Sequence, residues 1–267
     1  MAKIKVIVNG ALGRMGQQVI GAVVSDPELE LLGGADIKAR QEQLPVPGRS
    51  NPIPLHSDLS SLLESCRPDV MIDFTLAEAA MNAARLALEN GLHIVVGTTG
   101  LREVDLQEID ELAKKQKKGA VIAANFAIGA VILMHLARIA SKYFDNAEII
   151  ELHHDKKLDA PSGTALATAR AMLKSRGKPF AYPPTEKETL EGTRGGRTEG
   201  IAIHSIRLPG LVASQEVIFG ALGQTLSIRH DTISRESFMP GVILAVKEVV
   251  RRRGLVYGLD TLLNLGD

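Results

Sequence analysis

The 267-residue sequence has one cysteine, Cys66, no tryptophan, and an aromatic content of only 3%. A single cysteine can neither close an intrachain disulfide nor furnish a thiolate-rich metal site. So few aromatic rings offer no stacking platform for single-stranded nucleic acid. Charge of either sign is not in excess, because 31 Lys and Arg balance 31 Asp and Glu. That balance argues against a broad footprint for nucleic acid or an anionic membrane, while leaving room for a small basic pocket. No run reaches the roughly 18 apolar residues that a membrane span requires. The opening MAKIKVIVNGALGRMG has only a short apolar run before its glycines, so it reads as a first strand and not as a signal peptide. These absences predict a soluble cytoplasmic protein without nucleic-acid or membrane partners.

What is present is ordinary globular composition, 45% hydrophobic and 23% charged, with length for one large domain or two modest ones. The first 125 residues alternate short apolar runs with helical patterns. Strands are expected at Ile4–Val8, Glu30–Asp36, Asp69–Phe74, Leu92–Val96 and Ala120–Ala124. Helices are expected around Met15–Val23, Glu78–Glu89 and Glu103–Lys115. Such alternation predicts an α/β fold with a Rossmann-like, doubly wound parallel sheet. After Asn125 the pattern changes to a long helix over about Ile128–Phe144, a strand at Ala147–His153 and a helix near Thr164–Lys174. A loop rich in proline, glycine and charge follows over 183–199. Strand-like runs at Ile201–Leu208, Ser214–Ala221 and Gln224–Arg229 predict an open mixed sheet in a central α+β domain. A closing helix is expected over Met239–Arg252.

Two clusters carry chemistry. The first is Gly10-Ala11-Leu12-Gly13-Arg14-Met15-Gly16, between a predicted strand and a predicted helix. Glycines there permit a tight turn and close approach of a diphosphate to free helix N–H groups. The second strand ends at Asp36, 20 residues after Gly16, where a carboxylate would accept from the adenosine ribose hydroxyls. Arg14 could reach a phosphate. Asp73-Phe74-Thr75 and Gly97-Thr98-Thr99-Gly100 sit at later strand ends, suited to a nicotinamide and its ribose.

The second cluster lies within EIIELHHDKKLDAPSGTA, residues 148–165. His153 and His154 close a strand and should point to different sides. Lys157 follows four residues after His153, and Ser162-Gly163-Thr164 opens a helix. A lysine, two imidazoles and an anion-binding helix start describe a pocket for a small acidic substrate with a proton donor nearby. A metal site is not expected: adjacent histidines rarely face one ion, and no helical i, i+4 ligand pair is present.

This eighteen-residue run resembles the signature of the dihydrodipicolinate reductase (4-hydroxy-tetrahydrodipicolinate reductase) family, and the similarity extends along essentially the whole chain. The R-M-G of the glycine loop, IDFT at 72–75, VVGTTG at 95–100 and AANF at 123–126 are similar to its cofactor half, and HSIRLPGLV at 204–212 to its substrate half. The resemblance implies reduction of a cyclic imine dicarboxylate by NADH or NADPH on the diaminopimelate–lysine route. It implies proton-donor roles for His153 and Lys157, and substrate contacts from His154, Ser162, Gly163 and Thr164, with Arg207 adding charge. Cofactor contacts extend to Ile37, Lys38, Ala124, Asn125 and Phe126. Residues 1–125 and 234–267 would form the dinucleotide-binding domain. Residues 126–233 would bind substrate and build a homotetramer.

One departure bears on the cofactor. Ile37 stands where several relatives carry a basic residue suited to a 2′-phosphate, although Lys38 and Arg40 remain nearby. Asp36 favours a free ribose hydroxyl, so NADH or dual use is expected. The competing readings are another Rossmann-type amino-acid or aldehyde dehydrogenase, and a catalytically silent nucleotide sensor. Neither needs the HH, Lys157 and PSGT residues together.

Overall fold

The computed structural model describes residues 2–98 and 100–265, and the chain divides into two compact units, Met1–Ile128 with Phe238–Asp267, and Gly129–Ser237. The first unit runs β1 (Ile4–Asn9), α1 (Arg14–Ser25), β2 (Leu29–Ala35), β3 (Gln43–Leu44), β4 (Ile53–His56), α2 (Leu59–Ser65), β5 (Val70–Asp73), α3 (Ala77–Glu89), β6 (His93–Val96), α4 (Glu103–Lys115) and β7 (Gly119–Ile122). The second holds nearly all of α5 (Ile128–Ala140), then β8 (Asn146–His153), α6 (Gly163–Arg176), β9 (Gly196–Thr198), β10 (Ile201–Arg207), β11 (Ala213–Ala221) and β12 (Gln224–Thr232). The chain then returns to the first unit through α7 (Met239–Val249), β13 (Gly254–Tyr257) and α8 (Leu259–Leu262).

The first unit is a sheet in the order β13-β7-β6-β5-β1-β2-β4-β3, parallel throughout except where β3 meets β4. Its central strands are short continuous apolar runs because both faces are covered: all four residues of β5 and of β7 are buried. On one face Ile7, Met71, Ile94 and Ile122 pack with Leu62, Leu88, Ile109 and Ala113 from α2, α3 and α4. The second unit is a mixed sheet in the order β12-β11-β8-β10-β9, in which only β8 and β10 run parallel. Ile149, Val217, Phe219 and Ile203 on one of its faces pack against Leu133, Ala137, Ala169 and Met172 of α5 and α6.

Both predicted sheets are present, with differences in detail. β3, β4 and α2 lie in a stretch punctuated by Pro45, Pro47, Pro52 and Pro54, which masks short edge elements, and β13 is only four residues long. β2 stops at Ala35, one residue before Asp36. Helix α5 ends at Ala140, well short of Phe144, in turns from Lys142 N–H to Ile139 O and from Tyr143 N–H to Ala140 O. Arg176 fixes that turn by donating to Ser141 O at 3.0 Å and to Phe144 O. Helix α7 ends at Val249 instead of Arg252, because similar turns at Arg251 and Arg252 lead into β13. The long loop closes with the edge strand β9, and Arg194 within it is tied to Glu148 of β8 at 2.7 Å.

Candidate active site

The parallel sheet places the ends of β1, β2, β5, β6 and β7 on one edge, so Gly10, Asp36, Phe74, Gly97 and Ala123 all emerge on the side where such sheets bind ligands. The N–H groups of Gly10 and Ala11 donate to Ala35 O at 2.8 and 3.0 Å, folding the loop over β2. A Cβ on Gly16 would lie 2.1 Å from Gly10 O, so α1 can begin this close to the loop only with glycine there. Gly13 caps α1 without a side-chain bond, leaving the first helical N–H groups open to an anion, with Arg14 exposed and Met15 half-buried beside them. Asp36 accepts from Leu12 N–H and Lys38 N–H, both at 2.9 Å, so it fastens the glycine loop. Ile37 is 90% exposed and Lys38 is exposed beside it. These features fit a dinucleotide: a Cβ-free turn, an uncapped helix start and a carboxylate at the next strand end.

The second half of that edge is built on Asp73, which sequence reasoning noted only as part of the DFT motif. Its side chain is fully buried and accepts from Asn9 Nδ2 at 2.6 Å, Thr75 N–H at 2.9 Å and Thr75 Oγ1 at 2.8 Å. Thr98 Oγ1 donates to Thr75 O at 3.0 Å and lies 3.5 Å from Asp73. Burial pushes the Asp73 carboxyl above the ordinary aspartate range despite these neutral donors. Gly97 must lack a side chain because its Cβ would meet the Phe74 ring at 2.0 Å. The Phe74 and Phe126 rings stand 5.8 Å apart, and Asn125 Oδ1 accepts from Ala127 N–H at 2.8 Å beside the exposed Ala124. Thr99 lies outside the described residues.

In the second unit, one chain of contacts joins His153 and Lys157, the predicted proton donors, to Ser162 and Arg207. Lys157 Nζ pairs with Asp159 Oδ1 at 2.7 Å, and Arg207 Nη2 donates to Asp159 O at 2.8 Å. Both Arg207 Nη atoms also donate to Glu151, at 2.8 and 2.7 Å. Glu151 in turn lies 2.6 Å from His153 Nδ1 and accepts from Ser162 N–H at 3.1 Å. Burial alone would raise the Glu151 carboxyl, but Arg207, Ser205 and His153 outweigh it and hold it below the ordinary glutamate range. Burial lowers the His153 imidazole, against the upward pull of Glu151 and with the help of Lys157 and Arg207.

Helix α6 starts at this network. Ser162 is buried and its Oγ caps the helix by accepting from Ala165 N–H at 3.1 Å. The Gly163 and Thr164 N–H groups have no intrahelical acceptor, and a Cβ on Gly163 would meet nothing within 4 Å. No packing demand therefore explains that glycine. β8 ends at His153, so His154 is the first residue beyond the strand; it is half-buried, and its carbonyl accepts from Lys157 N–H at 3.2 Å.

Two of these side chains have partners within the chain. Arg207 does not stand free for a substrate carboxylate, because its Nη atoms bind Glu151, Ile206 O and Asp159 O. Ser162 contributes through the helix start, since its hydroxyl is engaged in the cap. Glu151 was missed altogether. Its signal was a charged residue in register with Ala147 and Ile149, the inward positions of β8. Among the described residues, no group of three or more His, Cys, Asp or Glu side chains could hold a metal ion, and no helix is long and apolar enough to cross a membrane.

Comparison with known proteins returns the same family for both units. The family described as dihydrodipicolinate reductase, N-terminus, matches residues 4–126, and dihydrodipicolinate reductase, C-terminus, matches residues 129–263. A 4-hydroxy-tetrahydrodipicolinate reductase of Dehalococcoides mccartyi is 53% identical over 99% of this chain and all of its own length. One from Syntrophomonas wolfei is 48% identical over 98% of this chain and 99% of its own. The solved, dipicolinate-bound dihydrodipicolinate reductase of Paenisporosarcina sp. TG-14 superposes with a TM-score of 0.86 at 42% identity, over 97% of this chain and 99% of that one. With both halves matched and relatives this similar end to end, the chain belongs to the dihydrodipicolinate reductase family.

Proposed function

We infer that this chain is an NAD(P)H-dependent oxidoreductase that reduces 4-hydroxy-tetrahydrodipicolinate to tetrahydrodipicolinate on the diaminopimelate–lysine route. The observation that carries the residue assignment is the continuous path Lys157–Asp159–Arg207–Glu151–His153, which ends beside the open N–H groups of α6. The glycine loop, Asp36, Ile37 and Lys38 hold the adenosine diphosphate end of the cofactor. Phe74, Thr75, Gly97, Thr98, Thr99 and residues 124–126 hold the nicotinamide end. Bound dihydronicotinamide supplies the hydride. The Gly163 and Thr164 N–H groups hold one substrate carboxylate, with His154 beside them. Lys157 adds a cation whose Asp159 partner leaves further ammonium protons for the substrate. Loss of the substrate's 4-hydroxyl as water gives the conjugated imine; hydride addition then leaves an electron pair on the ring, and a proton from His153 or Lys157 completes the reduction. Asp36 disfavours a 2′-phosphate, so NADH is used at least as well as NADPH.

The residues 1–125 and 234–267 act as the dinucleotide-binding domain and 126–233 as the substrate domain. The latter assembles a homotetramer through the sheet face opposite α5 and α6, where Glu148, Ile150, Glu216 and Ile218 remain half-buried in the single chain. The lone free cysteine suits a cytoplasmic location. The test is a coupled assay of reduced-nicotinamide absorbance, with substrate made in situ from pyruvate and aspartate semialdehyde by the upstream synthase. Turnover that requires the synthase is expected with NADH. Absence of turnover with either cofactor, from folded protein that binds NADH, would overturn the assignment.

A further inference from the structure

The Glu151 carboxylate is completely shielded from solvent, yet besides the Ser205 hydroxyl four contacts of 3.1 Å or less converge on it from three different segments. Two come from the Arg207 guanidinium on the neighbouring strand, one from the Ser162 backbone at the start of α6, and one from His153, two residues further along β8 on the same face. A structural ion pair would be complete with Arg207 alone. The 2.6 Å contact to His153 goes beyond it and fixes a chemical property. A carboxylate paired to a guanidinium is ionised and can only accept, so Nδ1 of His153 must carry the proton. The other ring nitrogen, Nε2, is then the one that gains and loses a proton.

We propose that Glu151 is the positioning residue of His153, holding its Nδ1–H so that Nε2 faces the substrate, and that Arg207 and the Ser162 N–H hold Glu151 for that purpose. This rests on the reductase reading and deepens it. Arg207, expected to add charge to the substrate pocket, acts through Glu151. When Nε2 takes a proton, the imidazolium forms against a fixed negative charge, which favours the form able to donate to the reduced ring. The same carboxylate ties the histidine to the helix start that receives the substrate carboxylate. Donor and binding site therefore share one anchor. The charged groups around His153 are Glu151, Lys157 and Arg207, with Asp159 on Lys157; Glu151 is the one that touches the ring.

The test joins nitrogen-15 NMR of histidine-labelled protein, assigned with His153→Gln, to steady-state kinetics of Glu151→Gln. In the wild type His153 is expected as the Nδ1–H tautomer, with Nε2 as the titrating nitrogen. In E151Q, kcat is expected to fall by at least about tenfold. NADH binding should change less than twofold, and the limb of the pH–rate profile set by His153 should move to lower pH. An Nε2–H tautomer in the wild type overturns the proposal, and this measurement needs no variant to fold. An active wild type beside an E151Q with unaltered kcat and pH profile also overturns it, leaving the reductase reading intact. A wild type that does not reduce the substrate overturns both.

Discussion

Each unit contains a wholly buried carboxylate at the heart of its site, Asp73 in the first and Glu151 in the second, and the two are displaced in opposite directions. Burial raises both. Asp73 is answered by Asn9, Thr75 and Thr98, all neutral donors, and stays above its ordinary range. Glu151 receives a bidentate guanidinium and falls below its own. Asp73 lies deeper and has no cationic partner, whereas Glu151 has the Arg207 guanidinium, so depth of burial and charge of the partner together decide whether a shielded carboxylate remains an anion. The difference suits the work done nearby. A carboxylate that only arranges hydroxyl and amide groups can be solvated by neutral donors. One that must stabilise an imidazolium has to stay ionised, and a permanent cation secures that.

The comparison breaks most visibly if the cation is removed. Arg207→Met leaves Glu151 buried without its counter-charge and is expected to cost about 3–5 kcal/mol in denaturant unfolding. Adding Glu151→Met should restore more than half of that loss, because an apolar pair has no charge to desolvate; a double variant no more stable than R207M would show that the pair is not what matters. Asp73→Asn is expected to leave thermal stability at neutral pH unchanged or slightly higher, since it removes a buried charge that has no cationic partner. Weakened ordering of Thr75 and Thr98 should nevertheless loosen NADH binding by roughly fivefold, about one hydrogen bond's worth. Equal destabilisation by D73N and R207M would erase the distinction between the two sites.

The smallest effect is in pH dependence, and its sign differs between the carboxylates. Glu151, lowered on folding, contributes stability above the ordinary glutamate range that is lost as pH falls through its folded value. Asp73, raised on folding, binds its proton more tightly in the native state, so its contribution declines as pH rises from the ordinary aspartate value to the raised one. Unfolding free energies measured from pH 3 to 7 should therefore show D73N gaining on the wild type as pH increases through that window, and E151Q losing.

Much of the cofactor edge was legible in the sequence because its determinants are local. A buried parallel strand is a short apolar run, and the residues that follow it emerge on the ligand side whichever partners the strand finds. The Gly10–Gly16 spacing and the helix start at Ser162 were readable for the same reason. The proline-broken stretch holding β3, β4 and α2 was not, since edge elements of two to seven residues leave too little periodicity. Nor could the sequence say what Arg207 holds. Its partner Glu151 lies 56 residues away, and only the parallel pairing of β8 with β10 brings them together.

By itself the sequence determined the doubly wound layer, the phosphate-binding turn and the set of residue types around His153 and Lys157, because each follows from short-range backbone geometry and hydrophobic period. Tertiary structure decided which of those side chains are free and which are engaged. It buried Glu151 on the inward face of β8, set Arg207 against it and so assigned the proton on His153 to Nδ1. Desolvation and charge pairing act across space between strands, and no spacing along the chain encodes them.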